Sequence, residues 1–289
     1  MSKLAPSLKG LINAPFARPG QAPAPRQIRD IYQRIAQEAR DRKYGEKPWL
    51  TLSAATTFTL NSPASLTVLH QVASAAPSST SPVAAAELIR EVGLKCISFN
   101  GIPRTINCLG AFRADLVAAS PPWLAELETR PSRAATPENF AAISARGRRL
   151  WKSVYTPFDD KLEAKLAESH PDLPVHILSS HYGPLLSDPD AEAKGGLASV
   201  GRILTSVVAI SCLRAQTGVG PQVLSHVFGL KKGVEQGTHR EEFREQEEEA
   251  AAIERLAGDE GCEWIIKSVD SISEAIGASF AQGGRESKL

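Results

Sequence analysis

Apart from Ser120-Pro121-Pro122, which opens a looser stretch, the sequence sets a proline directly after a hydroxyl residue at four points: Ser62-Pro63, Ser81-Pro82, Thr136-Pro137 and Thr156-Pro157. A serine or threonine oxygen accepts a hydrogen bond from a free N–H of a first helical turn, and proline suits the first helical position, where its missing N–H has no partner to lose. Each pair therefore predicts a helix start. Apolar residues then recur at helical spacing: Leu66, Leu69 and Ala73 on one face, Leu88, Val92 and Cys96 on another. After Gly101 and Pro103 break the chain, Ile106, Leu109, Phe112 and Leu116 continue the pattern. Upstream, Ile28, Ile31, Tyr32, Ile35 and Ala39 define an amphipathic helix over residues 26–43, ended by Gly45. No alternating strand pattern and no Asn-Gly hairpin interrupts the series, so the expected fold class is all-α.

The chain has 289 residues, is 42% hydrophobic and carries a formal charge of +1. It can bury a real core, and it offers no electrostatic reason to bind nucleic acid or an anionic membrane. The most apolar run, residues 203–213, is broken by Thr205, Ser206 and Ser211, so a soluble protein is expected. The organisation expected is an irregular Pro-, Gly- and Ala-rich arm over 1–25, a helical half over 26–119, a linker over 120–136, a second half over 137–277 and a polar tail over 278–289. In the second half, helices are expected over 137–153, 157–169, 196–217, 221–231, 240–257 and 260–277, with the charged stretch from His239 to Glu249 as a solvated face.

Cys96, Cys108, Cys212 and Cys262 show no metal-ligand spacing and read as buried free thiols of a reducing compartment. The last three residues, Ser287, Lys288 and Leu289, form the tripeptide that a peroxisomal import receptor reads at a free C-terminus, which predicts a peroxisomal matrix protein with that receptor as a partner.

An order of elements also recurs. An apolar helix near Leu50-Thr51 precedes a proline-started helix bearing His70, and one near Leu204-Thr205 precedes a proline-started helix bearing His226. Alanine triplets follow in both, at Ala84-Ala85-Ala86 and Ala250-Ala251-Ala252, and each series closes on a further apolar helix. Two related helical halves packed as one body are expected.

Residues 88–96, running into Phe99-Asn100-Gly101-Ile102-Pro103 and Asn107, resemble the closing part of a carboxymuconolactone decarboxylase domain. Tyr182-Gly183, the Arg202-led apolar helix and the Gln222 to His226 helix are similar to its opening part. The resemblance is to the superfamily that also contains the alkylhydroperoxidase D (AhpD) proteins, and most closely to fungal peroxisomal members ending in Ser-Lys-Leu. It implies an AhpD-like helical fold. In the peroxidase branch it implies a Cys-x-x-Cys-x-x-x-His run, yet here Val219 and Gln222 hold the cysteine positions and Val207 the acid position, so that dithiol chemistry is not expected. In the decarboxylase branch it implies an arginine that holds a substrate carboxylate and a histidine that moves a proton, positions matched by Arg202 and His226, with Gln222 one turn away to orient the imidazole.

Cys212 is a candidate single thiol, although Ile210 and Leu213 beside it point to burial. His181-Tyr182, expected in a loop, and His70, with Glu87 and Glu91 as possible partners, form a secondary set. Three readings stand open: a cofactor-free lyase or isomerase on a small carboxylate or lactone-like metabolite, a non-catalytic binding or assembly module, and single-thiol peroxide detoxification. All three fit a homo-oligomer.

Overall fold

The computed structural model describes residues 4–75, 80–190, 194–243 and 246–277. The tripeptide Ser287-Lys288-Leu289 lies outside the described residues. Among those described there is no strand, and no helix is long and apolar enough to cross a membrane.

The first half contains α1 (Pro6–Ile12), α2 (Ile28–Asp41), α3 (Glu46–Thr59), α4 (Pro63–Ala73), α5 (Pro82–Lys95), the single turn α6 (Ile97–Asn100) and α7 (Ile102–Ala119). After a 3-10 turn at Pro122–Glu126 come α8 (Phe140–Tyr155), α9 (Asp159–Ser169) and α10 (Asp172–His176), which runs into a π-helical segment, Ile177–Leu186. The last described elements are α11 (Gly201–Gln216), α12 (Gly220–Glu235), α13 (Thr238–Glu242), α14 (Glu247–Leu256) and α15 (Asp259–Ile276).

Two helices occupy the centre and lie against each other. On α3 every residue from Pro48 to Thr59 is buried, and α11 buries all but three of its positions. A helix buried all round has little but its own backbone to satisfy its polar side chains, and the C-terminal part of α3 uses it: Thr56, Thr57 and Thr59 each donate to the carbonyl four residues back at 2.7 Å, whereas the hydroxyls of Thr51 and Ser53 nearer its start have no partner among the described residues. Around this pair stand α2, α4, α5 and α15 on the α3 side and α12, α15 and α6 on the α11 side. Gly93 of α5 lies under the Phe58 ring, leaving no room there for a Cβ. One continuous apolar core takes residues from α2 through α15, while Leu150, Trp151, Val154, Tyr182 and Leu186 form a smaller cluster between α8 and the π-helical segment.

The start signals acted unequally. Ser81 caps α5 by accepting from Ala84 N at 3.1 Å. Helix α4 starts at Pro63, but the Ser62 hydroxyl turns to Ser65 at 2.7 Å instead of the backbone. At Thr136-Pro137 the helix begins later, at Phe140, because Asn139 folds the approach into a turn by accepting from Thr136 N at 2.8 Å. Likewise α9 begins at Asp159, whose carboxylate accepts from the Thr156 hydroxyl at 3.2 Å.

Other expectations need correction. The arm is not wholly irregular, since α1 and a 3-10 turn at Pro15–Ala17 form in it. The helix expected over 196–217 starts only at Gly201, whose φ of +72° turns the chain sharply into α11. The helix expected over 240–257 is two, α13 and α14. The largest miss is residues 172–186, where the sequence predicts no helix and a loop around His181-Tyr182; they are helical. Pro184 lacks the N–H an α-helix needs, and the wider π-turn accommodates it.

The π-helical segment crosses α8 backbone to backbone. A Cβ built on Gly147 would fall 2.5 Å from Gly183 N and 2.6 Å from its Cα, and neither is the end of a flexible side chain. Gly147→Ala should therefore cost about 2 kcal/mol or more in urea denaturation, whereas Gly110→Ala, on the exposed face of α7 with nothing within 4 Å, should be neutral or gain up to about 1 kcal/mol. Equal effects at the two positions would contradict the crossing.

Candidate functional site

Three of the groups singled out in the second half, Arg202, His226 and Tyr182, meet where α8, the π-helical segment, α11 and α12 come together. The N-terminus of α11 sets the geometry. The first N–H groups of a helix have no intrahelical partner, and in a buried helix they must be met by side chains. Two carboxylates do this: Asp188 accepts from Gly201 N at 2.7 Å, and Glu242 of α13 accepts from Arg202 N at 3.1 Å and Ile203 N at 3.2 Å. Asp188 also lies 2.7 Å from the ammonium of Lys95, a side chain with no exposed surface that donates to Leu186 O as well. Burial pushes the Lys95 ammonium down and opposes ionisation of Asp188, but Lys95 holds that carboxyl below its usual range. Glu242, with no cation so close, is pushed up to about 7 by burial and by the neighbouring Asp188 charge, against the pull of the two N–H bonds and of Arg202.

Arg202 turns inward from that terminus. Its Nε donates to the Ser153 hydroxyl at 2.8 Å, one terminal nitrogen to the Ser206 hydroxyl at 2.8 Å, and the other to Ser153 O at 2.9 Å and Gly229 O at 2.6 Å. The guanidinium ties α8 to α12, and burial lowers its pKa to about 10. Beside it, His226 Nε2 stands 3.5 Å from the Tyr155 hydroxyl, which is 3.1 Å from the Tyr182 hydroxyl. Aromatic faces enclose this row: Trp151 packs on Tyr155 and edge-on to Tyr182, with ring centroids 4.3 and 5.0 Å apart, and Phe99 meets the imidazole edge-on. Burial, then the Arg202 charge, depresses His226 to about 4, so the imidazole is neutral at pH 7. Burial raises both tyrosines, Tyr182 well above its ordinary value.

His226, Arg202 and Tyr182 are thus brought together, and the remaining candidates are not. Gln222 lies exposed on α12 and has no hydrogen bond to His226 among the described residues, so it does not orient the imidazole. His181 points the other way, with Nδ1 3.0 Å from the Ser98 hydroxyl and its ring against His176. His70 sits between Phe112 and Trp123 with Nε2 2.9 Å from Pro82 O. Neither proposed glutamate reaches it, because Glu87 receives Arg90 and Glu128 N while Glu91 receives both terminal nitrogens of Arg133. Cys212 is fully buried, with its sulfur 3.5 Å from that of Cys96, whose thiol burial pushes well above its usual value. Among the described residues no cluster of His, Cys, Asp and Glu could hold a metal ion.

Sequence reasoning missed Tyr155, Ser153, Ser206 and Glu242. The one signal for Tyr155 was its spacing four residues after Trp151, which puts both rings on one helix face. Glu242 carried none, because it stands in a run of charges that reads as a solvated surface.

Two cavities open elsewhere. One of about 310 Å³ lies between α2 and α15, around Arg34, Glu38, Glu263, Trp264 and Lys267. The other, of about 40 Å³, lies where the linker meets α8 and the segment after Leu186. Neither is lined by His226, Arg202, Tyr155 or Tyr182. Compared with known proteins, the chain matches no family model, no curated protein and no solved structure.

Two of the shifted groups, Glu242 and His226, act on stability near neutral pH with opposite signs. Glu242 is less acidic in the fold than in an unfolded chain, so its contribution is full below its unfolded pKa and is lost as pH rises through about 7. His226 is depressed, so its contribution is present above 6.5 and is lost as pH falls through about 4. Urea midpoints should therefore peak at about pH 5 to 6. In Glu242→Gln the decline between pH 6 and 8 should disappear; a decline unchanged in that variant would place its origin in another group.

Proposed function

We propose that the chain is a helical assembly module of the peroxisomal matrix, related in fold to the carboxymuconolactone decarboxylase and AhpD proteins, that works as a homo-oligomer. The family reading is supported by the motifs around residues 88–107 and 201–226, and the compartment by Ser287-Lys288-Leu289. The carrying observation is apolar surface left in water, and two of the places where this occurs suit each other. In the arm, Leu8, Leu11, Ile12 and Phe16 are 43%, 66%, 53% and 85% exposed, and α1 buries no residue. On α12, Leu224 and Phe228 are 57% and 55% exposed, one turn apart, and Lys232 a turn further on lies over the ring of exposed Phe158. An arm its own chain does not cover and a helix face it does not cover are complementary when exchanged between copies.

Catalysis at His226 asks for groups that this arrangement withholds. A carboxylate anchor needs guanidinium donors free to turn to substrate, and those of Arg202 are spent on Ser153, Ser206 and Gly229. An imidazole depressed to about 4 is a weak base at neutral pH. The lyase or isomerase reading keeps one support, the Tyr182–Tyr155–His226 row, which can pass a proton only if α8 and α12 part to admit substrate.

Light scattering coupled to size exclusion should give a mass at least twice that of the 31.0 kDa chain. Deleting residues 1–25, or making Leu224→Ser with Phe228→Ser, should yield folded monomers. A full-length chain that stays monomeric at tens of micromolar would overturn the assembly reading. Independently, residues 278–289 fused to a fluorescent protein should direct it to peroxisomes, and removal of Ser287-Lys288-Leu289 should abolish this.

A further inference from the structure

The small cavity holds an unmet demand. Buried N–H groups nearly always have an acceptor, because leaving one unpaired costs about 1–3 kcal/mol. Two arginines lining this cavity, Arg133 from the linker and Arg146 from α8, each have a buried Nε with no partner. Arg133 grips Glu91 with both terminal nitrogens at 3.2 and 2.7 Å, and Arg146 donates from one terminal nitrogen to Asp190 at 2.8 Å. Asn139, also in the lining, gives one amide hydrogen to Ala134 O and uses its oxygen on Thr136 N, so its second amide hydrogen is what it still has to offer. Ser187 donates its hydroxyl hydrogen to Gly183 O. The open valences of the two arginines and Asn139 are thus donors.

The charges point the same way. Three cations are largely buried in this region: Lys95 with no exposed surface, Arg133 at 15% and Arg146 at 16%. Two of their partners are buried with them, Asp188 at 18% and Glu91 at 4%, but Asp190 is 69% exposed and its charge is spent largely on water. One buried positive charge is left short of a buried partner. The space of about 40 Å³ takes roughly three water-sized groups at 10–15 Å³ each, which is the scale of one carboxylate and well below that of a ring.

We propose that this cavity binds the carboxylate of a small monoanionic ligand, its oxygens accepting from Arg133 Nε, Arg146 Nε and the Asn139 amide. The site is separate from the His226 cluster and does not depend on the assembly reading. A carboxylate there would clamp the linker to α8 and to the segment carrying Asp188, and so support the N-terminus of α11.

The test is thermal unfolding of the full chain in sodium acetate against sodium chloride at equal ionic strength. Acetate should raise Tm saturably, by about 3 °C at ten times its Kd, and chloride should not. Arg146→Lys keeps a cation for Asp190 but has no Nε, and should lose the acetate-specific rise while unfolding near the wild-type Tm in chloride. Asp190→Asn removes the competing carboxylate and should lower the Kd for acetate several-fold. Equal responses to the two salts, or an acetate response intact in Arg146→Lys, would show that the cavity holds only water and would overturn the proposal.

Discussion

The first turn of α11 is the point on which the structure turns. This helix runs through the middle of the core, so its free N–H groups cannot be left to solvent, and two acidic side chains from distant parts of the chain meet them. Two carboxylates close together in a buried place repel, and each is handled differently. Asp188 is neutralised by Lys95, itself reached from α5 across the boundary between the halves. Glu242 has no such partner, and burial together with the repulsion shifts it toward its protonated form. A lone ammonium in the interior would cost several kcal/mol, so Lys95 requires Asp188 as much as α11 does. The helix terminus therefore fixes the register of α5, of the segment after Leu186 and of α13 together.

That constraint decides what the neighbouring histidine can do. Arg202 begins where Glu242 ends, and with its backbone N–H held its guanidinium is aimed at the gap between α8 and α12, where Ser153 O and Gly229 O take it up. The arginine joins a carbonyl of α8 to one of α12, and its charge contributes to keeping His226 neutral. A positive group fixed beside a buried imidazole favours a packing contact with Tyr155 and Phe99 over a base that must accept protons.

The helical class was legible because periodicity and proline position are local properties. Ile28, Tyr32, Ile35 and Ala39 are buried as their spacing requires, and so are Leu88, Val92 and Cys96. Where helices begin was legible only in part, since a threonine before proline can be diverted by an asparagine or aspartate three residues on, as at Thr136 and Thr156. The charged side of α5 was not legible at all. Glu87, Glu91 and Lys95 repeat every four residues, and the two glutamates read as possible partners of His70, yet all three are buried, because the linker and the segment after Leu186 fold across them. The pairing of Arg202 with His226 is expected from a family resemblance, while Tyr182 stands apart in a secondary group; the commitment of Arg202 to Ser153 and Gly229 depends on tertiary contacts that no spacing encodes.

The close seam between α3 and α11 limits how the molecule can work. Both helices are rich in alanine, serine and threonine where they are buried, and small side chains let the two backbones approach without leaving a cavity. Some of these hydroxyls, such as Thr51, Ser53 and Ser211, have no hydrogen-bond partner, so at these positions size rather than bonding is the property used. A seam of this kind cannot open by small steps: separating the halves would expose a continuous apolar core and break Lys95 from Asp188 in the same movement. Exchange with other molecules is therefore confined to what the outer layer presents, and there the arm, the outer face of α12 and the arginine-lined cavity are the features whose chemistry the chain itself leaves incomplete.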